Sequence, residues 1–324
     1  MHGWCMTSSA IRQYEFGPAE KLLFEEVPAP VPGVGQVRVA VAAAGVHLVD
    51  TSIRQGVVGG PFPLPRLPMT PGREMAGVVD VVGAGVGSEW LGRRVVAHLG
   101  QASGGYAELA VVPVESLHEV PVDLPFDQAV AMIGTGRTVL AVLEMAELKP
   151  DDVVVVSSAA GGMGALLVQA AKNVGAYVVG LAGGAEKVAL VRGLGADLAV
   201  DYGDSEWGVP REPTVVLDAV GGAVGRRLFE LLGRGGRLVT YGASGGGFTQ
   251  VSEEELAARG VTLLVPVGAW MAKRGLRGWE SAALAAAGRG EWRALTTRFP
   301  LSRAAEAHAA LEARGTVGKV VLVP

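Results

Sequence analysis

The chain predicts an α/β protein of two parts: a β-rich, loop-rich domain and a parallel sheet with crossover helices. Three observations carry this. A run of four valines, Val153 to Val156, opens onto Ser157-Ser158-Ala159-Ala160-Gly161-Gly162-Met163-Gly164 and then a helix-like segment without a breaker until Gly175. Strand and helix signals alternate after it, which requires parallel pairing with helical crossovers. Before it, short β-branched runs are separated by proline-rich loops, the texture of an antiparallel β domain. At 324 residues, length alone suggests about two domains.

In chain order, the first strands are Gln36 to Ala42, Ala76 to Val82, Arg94 to His98 and Ala107 to Val112. Each holds mostly Val and Ala and is bounded by turn residues. The segment Pro61 to Pro71, with five prolines, is a loop. After Asp123-Leu-Pro125 the texture turns helical from Phe126 to Leu148. Strands are then expected at Val153 to Val156, Ala176 to Leu181, Leu198 to Tyr202, Thr214 to Asp218, Arg237 to Gly242 and Val261 to Val267. Helices lie between most of them, including Ala185 to Leu194 and Ala223 to Leu232. Two further helices, Leu276 to Ala287 and Ser302 to Arg314, precede a last strand, Lys319 to Val323, that can return to the first domain.

Composition excludes several classes of function. Hydrophobic residues make up 49% and charged residues 19%, enough for a sizeable core. Net charge is −4 and no run of Lys or Arg exceeds two, so charge points to neither nucleic acid nor a membrane surface. Cys5 is the single cysteine, which suits a reducing, cytoplasmic setting. The start, Met1 to Met6, lacks the charged and apolar regions of a secretory leader, and Met6 could itself be the original start. The apolar stretch Val153 to Ala171 is interrupted by serines and glycines, which favours a strand and a helix over a membrane span.

The glycine turn carries the functional signal. A strand, a tight turn and a helix aim free backbone N–H groups and the positive helix end at an anion. A dinucleotide diphosphate suits that geometry, held by Ala160, Gly161, Gly162 and Met163. Sites that prefer NAD usually carry an acid about 20 residues past the turn. Here the second strand ends Val179-Gly-Leu-Ala-Gly183-Gly184, with no acid. Lys187 and Tyr202 follow.

The phrases Pro71-Gly-Arg-Glu-Met-Ala-Gly77, Ala159 to Gly164, Glu186-Lys187, Gly195-Ala-Asp197 and Asp218-Ala-Val-Gly221 resemble the medium-chain dehydrogenase/reductase superfamily. The chain is most similar to its zinc-free quinone oxidoreductase branch, which includes zeta-crystallin, from Arg12 to Pro324. The resemblance implies a GroES-like catalytic domain of residues 1–124, completed by 268–324. It implies a Rossmann domain of residues 125–267, with the cofactor between the two. Gly183, Lys187, Tyr202 and Arg314 are then expected to clamp an adenosine 2′-phosphate, making the cofactor NADPH. Each charged hydrogen bond is worth about 1.5–3 kcal/mol, so two favour NADPH over NADH by tenfold or more. Taken singly, Lys187 and Arg314 read equally well as solvated helix residues. Thr138, Tyr241, Ser244 and Val267 match positions beside the nicotinamide and its ribose. Ser52 and Val58 stand where relatives place aromatic residues along the substrate slot, and Pro61 to Pro65 could wall it.

Against the superfamily's zinc ligands, the loop Gly45-Val-His47-Leu-Val-Asp50 puts His47 at a cysteine position. Arg73 stands at a histidine position and Gly134 near the third, so no metal is expected. His47 has two readings: a donor or proton source facing substrate, or a loop histidine packed through Asp50. His2, His98, His118 and His308 are scattered, without ligand spacing. Glu74 reads as structural. Without a metal, a carbonyl is polarised by hydrogen bonds alone, which suits acceptors already electron-poor: quinones or α,β-unsaturated carbonyls. The alternatives are a zinc-free enoyl or acyl-thioester reductase, and a non-catalytic NADPH-binding protein. The apolar edge strand 261–267 would pair two copies in a homodimer.

Overall fold

The computed structural model describes residues 6–57, 63–100, 103–204 and 207–324. They form two compact units, 1–134 with 283–289 and 296–324, and 135–282 with 290–295.

The first unit starts with β1 (Thr7–Arg12) and β2 (Leu23–Pro28), an antiparallel pair that the sequence pattern did not reveal. Then follow β3 (Gln36–Val46), α1 (Leu48–Gln55), β4 (Glu74–Val82), β5 (Arg94–His98), β6 (Leu109–Pro113), β7 (Leu117–Glu119) and α2 (Phe126–Ala131). The expected helix from Phe126 is broken by a π-helical turn, Met132–Gly136.

The second unit continues with α3 (Arg137–Ala146), β8 (Val153–Val156), α4 (Gly162–Val174), β9 (Tyr177–Ala182), α5 (Ala185–Gly193) and β10 (Leu198–Asp201). After these come β11 (Val215–Asp218), α6 (Gly222–Leu231), β12 (Arg237–Thr240), α7 (Glu253–Arg259), β13 (Thr262–Leu264), α8 (Ala269–Ala272) and α9 (Leu276–Gly288). The later part of α9, from Ala283, already belongs to the first unit, which the chain then completes with β14 (Thr296–Pro300), α10 (Ala304–Glu312) and β15 (Lys319–Val323).

Within the first unit, seven strands form one sheet in the order β14-β15-β3-β4-β5-β7, with β6 also paired to β3. The last strand joins it as expected, Val320 opposite Val46. Alternate residues Val37, Val39 and Val41 of β3 point into a core with Met75, Val79, Val95 and Leu117. Helix α2 is tied to this unit because Asp127 accepts from Arg298 at 2.6 Å and from Thr296 at 3.1 Å.

The second unit holds a six-stranded parallel sheet, β10-β9-β8-β11-β12-β13. Numbered within the unit this is 3-2-1-4-5-6, the Rossmann order, whose ligand crevice opens at the carboxyl ends beside the first strand. Val154, Val155 and Val156 are fully buried, which explains the unbroken valine run. The expected strand 261–267 pairs only from Thr262 to Leu264. Pro266 has no N–H to extend the ladder. The apolar stretch from Val153 is a strand, a turn and a helix.

Candidate active site

In the first unit the site is assembled from three strands and one helix start. His47 follows β3 directly and caps α1. Its backbone N–H donates to Asp50 Oδ2 at 2.8 Å, closing a capping box. This is the packed arrangement, with Asp50 as the anchor. The ring turns elsewhere: His47 Nε2 lies 2.9 Å from Glu74 Oε2, and 23% of the side chain remains exposed.

Glu74 opens β4 and is wholly buried. Its second oxygen, Oε1, lies 2.6 Å from Lys319 Nζ, itself 4% exposed. Because β15 pairs with the end of β3, the first residue of β15 arrives beside Glu74. These are charge contacts without directed hydrogen bonds: neither Glu74 oxygen, nor His47 Nε2, nor Lys319 Nζ has a hydrogen-bond partner among the described residues. Burial pushes the Glu74 pKa up, but the charges of His47 and Lys319 outweigh it and hold the carboxyl far below the usual range.

Room for that carboxylate comes from two glycines. A Cβ on Gly45 would lie 1.9 Å from Glu74 Oε1, and one on Gly134 would lie 2.3 Å from Oε2 and 3.0 Å from His47 Cε1. The π-helical turn delivers Gly134 to this spot, and such turns concentrate at functional sites. Glu74 is thus the centre of the cluster, a buried carboxylate held between His47 and Lys319.

The structure also corrects the reading of His98 as isolated. It lies opposite Glu74 in the β4–β5 ladder, and its ring centroid is 6.4 Å from that of His47. His47, Glu74 and His98 offer donor atoms within 4.8 Å of one another. Periodicity could not reveal this, because the residues meet across strands. A signal did exist for Lys319 and Glu74: each opens a mostly apolar strand, Lys319 as the one charge of β15, and buried charges need partners.

Behind α1 lies a second buried polar group. Tyr106 Oη is 3.2 Å from both Asp50 Oδ2 and His308 Nε2, and all three residues are buried. Burial and Asp50 push the Tyr106 phenol up, and burial pushes the His308 imidazole down to about 4. Arg54, 2% exposed, pairs with Glu312 at 2.6 Å. Ser52 is half-buried on α1, while Val58, Pro61 and Phe62 lie outside the described residues.

In the second unit β8 runs through Ser157 to Ala160 into α4, with Gly161 as its N-cap. A Cβ on Gly164 would lie 2.2 Å from the Ser158 carbonyl oxygen, so only glycine lets the helix approach the strand. The first N–H groups of α4, at Gly162, Met163 and Gly164, have no intrahelical acceptor and face the turn. Asp218 ties the two central strands together. It accepts from Ser157 Oγ at 2.9 Å, Thr249 Oγ1 at 2.6 Å and the Val220 N–H at 2.9 Å.

β9 ends at Ala182, and no acid stands at Gly183 or Gly184. Gly183 and Tyr202 come together: a Cβ on Gly183 would lie 3.4 Å from Tyr202 Oη. Lys187 is half-buried on the first turn of α5 beside them in sequence. One acid escaped the sequence reading. Asp201 ends β10, but its oxygens accept from the Gly184 and Gly203 N–H groups at 2.9 and 2.8 Å, so it shapes the turn. Tyr241 is buried after β12 with its hydroxyl unpartnered among the described residues, as is Thr240 Oγ1. Burial and Asp218 push the Tyr241 phenol up. Ser244 Oγ donates to Ala219 O at 3.3 Å. Thr138 is half-buried on α3, and Val267 half-buried past β13. Arg314 belongs to the first unit, exposed after α10 with φ of 56°.

Comparison with known proteins agrees with both units. Residues 33–122 match the alcohol dehydrogenase GroES-like domain, and residues 194–322 match a zinc-binding dehydrogenase family. A 2-haloacrylate reductase from a Burkholderia species is 32% identical, covering 98% of this chain and 99% of its own. A quinone oxidoreductase from Pseudomonas aeruginosa is 31% identical, covering 95% and 97%. The crystal structure of Escherichia coli quinone oxidoreductase complexed with NADPH superimposes with a TM-score of 0.85 at 30% identity, over 98% of this chain and 100% of that one. With a GroES-like unit, a Rossmann sheet and full-length relatives at this identity, the chain is an oxidoreductase of the medium-chain dehydrogenase/reductase superfamily, in its quinone oxidoreductase-like branch.

Proposed function

We propose that the chain is an NADPH-dependent reductase that works without zinc on quinones or other α,β-unsaturated carbonyl compounds. The observation that carries the cofactor choice is that β9 itself ends without an acid, with Tyr202 against Gly183 and Lys187 on the next helix turn, while the neighbouring Asp201 carboxylate is taken up by the Gly184 and Gly203 N–H groups. A carboxylate there would repel a 2′-phosphate, whereas an ammonium and a phenol can donate to it. The E. coli structural relative, described as complexed with NADPH, supports the same choice.

Bound NADPH supplies the hydride. The chain's own part is to hold and orient: the N–H groups of Gly162 and Met163 at the start of α4 would hold the diphosphate, and Gly164 is what lets α4 pack close to the Ser158 carbonyl. Tyr241 and Thr138 would lie on the nicotinamide side, and the buried Tyr241 hydroxyl has no hydrogen-bond partner among the described residues. His47 keeps Nε2 on the Glu74 carboxylate, so in this reading the substrate proton comes from solvent rather than from His47.

The matched family name implies zinc. The residues suit it poorly. Arg73 and Gly134 are not ligands, and the one carboxylate near both imidazoles already carries Lys319 at 2.6 Å. An ammonium beside the only anionic donor opposes a second cation. Relatives that reduce a haloacrylate and quinones support electron-poor acceptors.

The test follows NADPH absorbance with 9,10-phenanthrenequinone, a crotonyl thioester and no acceptor, before and after a strong chelator. Consumption with the quinone, unchanged by chelation, is the expected result. Consumption only with the thioester would make the chain an enoyl-thioester reductase, and none at all a nucleotide-binding protein. NADH that binds as tightly as NADPH would overturn the cofactor choice.

A further inference from the structure

Helix α1 sits in the first unit with its polar side inward. Its buried residues are Asp50, Thr51 and Arg54, while Leu48 is 45% exposed. A surface helix ordinarily turns an apolar stripe toward the core. Arg54 is only 2% exposed, and a buried charge is costly unless it is paired and hydrogen-bonded.

The partners come from α10 and from the turn before β6. Arg54 meets Glu312 fork to fork: Nη2 donates to Oε1 at 2.6 Å and Nη1 to Oε2 at 3.3 Å. One turn earlier on each helix, Asp50 and His308 share the Tyr106 hydroxyl. Tyr106 Oη donates to Asp50 Oδ2 at 3.2 Å and lies 3.2 Å from His308 Nε2. Asp50 and Arg54 on α1 are thus matched by His308 and Glu312 on α10, four residues apart in both helices and so on one face of each. At the far end of α1, Gln13 Nε2 and the Gly17 N–H both donate to Arg54 O, at 2.9 and 3.1 Å.

Apolar packing has no direction, so a short helix resting on it can turn or slide at little cost. A guanidinium that meets a carboxylate through two bonds fixes distance and plane together. Buried ion pairs add little stability over apolar packing of the same volume, and setting a register is their best-attested use. What this seat holds in register is His47. It is the N-cap of α1, its N–H sits on Asp50 at 2.8 Å, and its ring meets Glu74 at 2.9 Å. We infer that Glu312, His308 and Tyr106 are positioning residues: they fix α1 so that His47 stays on Glu74 and the Leu48 to Ser52 face stays set for the acceptor. The part that concerns the acceptor rests on the reductase reading; the part that concerns His47 does not.

The experiment exchanges the fork for apolar packing in the full chain, as Arg54→Met with Glu312→Leu. Arg38→Met with Asp80→Leu removes another ion pair of the same unit, 2.9 Å long, and serves as the control. The first readout needs no cofactor. With histidine labelled by carbon-13 at Cε1, His47→Gln identifies the His47 signal among the five histidines. The Arg54 and Glu312 double variant should melt no lower than the parent, yet its His47 signal should be shifted and at least twofold broader. The control should keep the parent's signal. Arg54→Lys keeps the charge pair without the fork, should broaden the signal by a smaller factor, and decides alone if the double variant does not fold. A His47 signal unchanged in the Arg54 proteins, or broadened equally in the control, overturns the inference. In the second readout, kcat with NADPH and 9,10-phenanthrenequinone should fall at least tenfold in the double variant, with the Kd for NADPH within twofold of the parent. A displaced His47 signal with an unchanged kcat overturns the positioning of the acceptor face. A parent protein that shows the expected His47 signals but consumes NADPH with no acceptor sinks the reductase reading alone.

Discussion

Glu74 carries its charge with no exposed surface, and the His47 and Lys319 charges make that tolerable. Removing one partner of a buried pair leaves an uncompensated charge, a loss of about 3–5 kcal/mol. Lys319→Met should therefore lower stability by about that amount in urea unfolding, and Glu74→Gln added to it should recover much of the loss. Equal, additive losses would show that the two charges do not depend on each other. His308 gives a second residue-scale expectation. Its folded pKa of about 4 lies below the ordinary value near 6.5, so between these values the unfolded chain holds the extra proton. Stability is then complete above about pH 6.5 and falls as pH drops toward 4, by up to about 3 kcal/mol. Glu74 contributes stability that is lost only below the ordinary carboxylate range near 4.5, a separate window. Unfolding midpoints of the parent should drop between pH ~7 and pH ~5, and His308→Gln should flatten that drop.

Among the elements, the turn into α4 matters most. Because a Cβ on Gly164 would press 2.2 Å from a backbone oxygen, Gly164→Ala must push the helix away from β8. The expected result is a lower melting temperature together with NADPH binding weakened tenfold or more. A protein that loses stability but binds NADPH normally would separate the turn from the cofactor. This element was legible in the sequence, because buried valines and small residues are local signals. So were β5, β8 and β15, whose bounds match the expected ones. The edge strand was read four residues too long, since apolar character continued past the point where Pro266 ended pairing. β1 and β2 were missed because Ser8-Ser9 and Glu25-Glu26 dilute their pattern. In the candidate site, His47 was visible by its loop phrase, but its tie to Glu74, Lys319 and His98 was not. That tie depends on which strands become neighbours, and no local pattern encodes it.

At the scale of the whole chain, a net charge of −4 and a 49% hydrophobic composition go with large buried cores in both units. β13 closes one side of the parallel sheet and leaves Thr262 and Leu263 exposed. An unpaired apolar edge favours association, so the expected state is a homodimer formed edge to edge. Light scattering after size exclusion should give twice the chain mass, and Leu263→Lys should give the single mass. A parent protein that runs as a monomer would remove this expectation.

The sheet that holds Glu74 receives Lys319 from β15, a strand that follows the whole parallel sheet in chain order. The early strands of the first unit therefore hold a carboxylate whose ammonium comes from a distant stretch of the chain. Assembly of that interior is a long-range event: the acid and its counter-charge meet only when the returning segment docks beside β3.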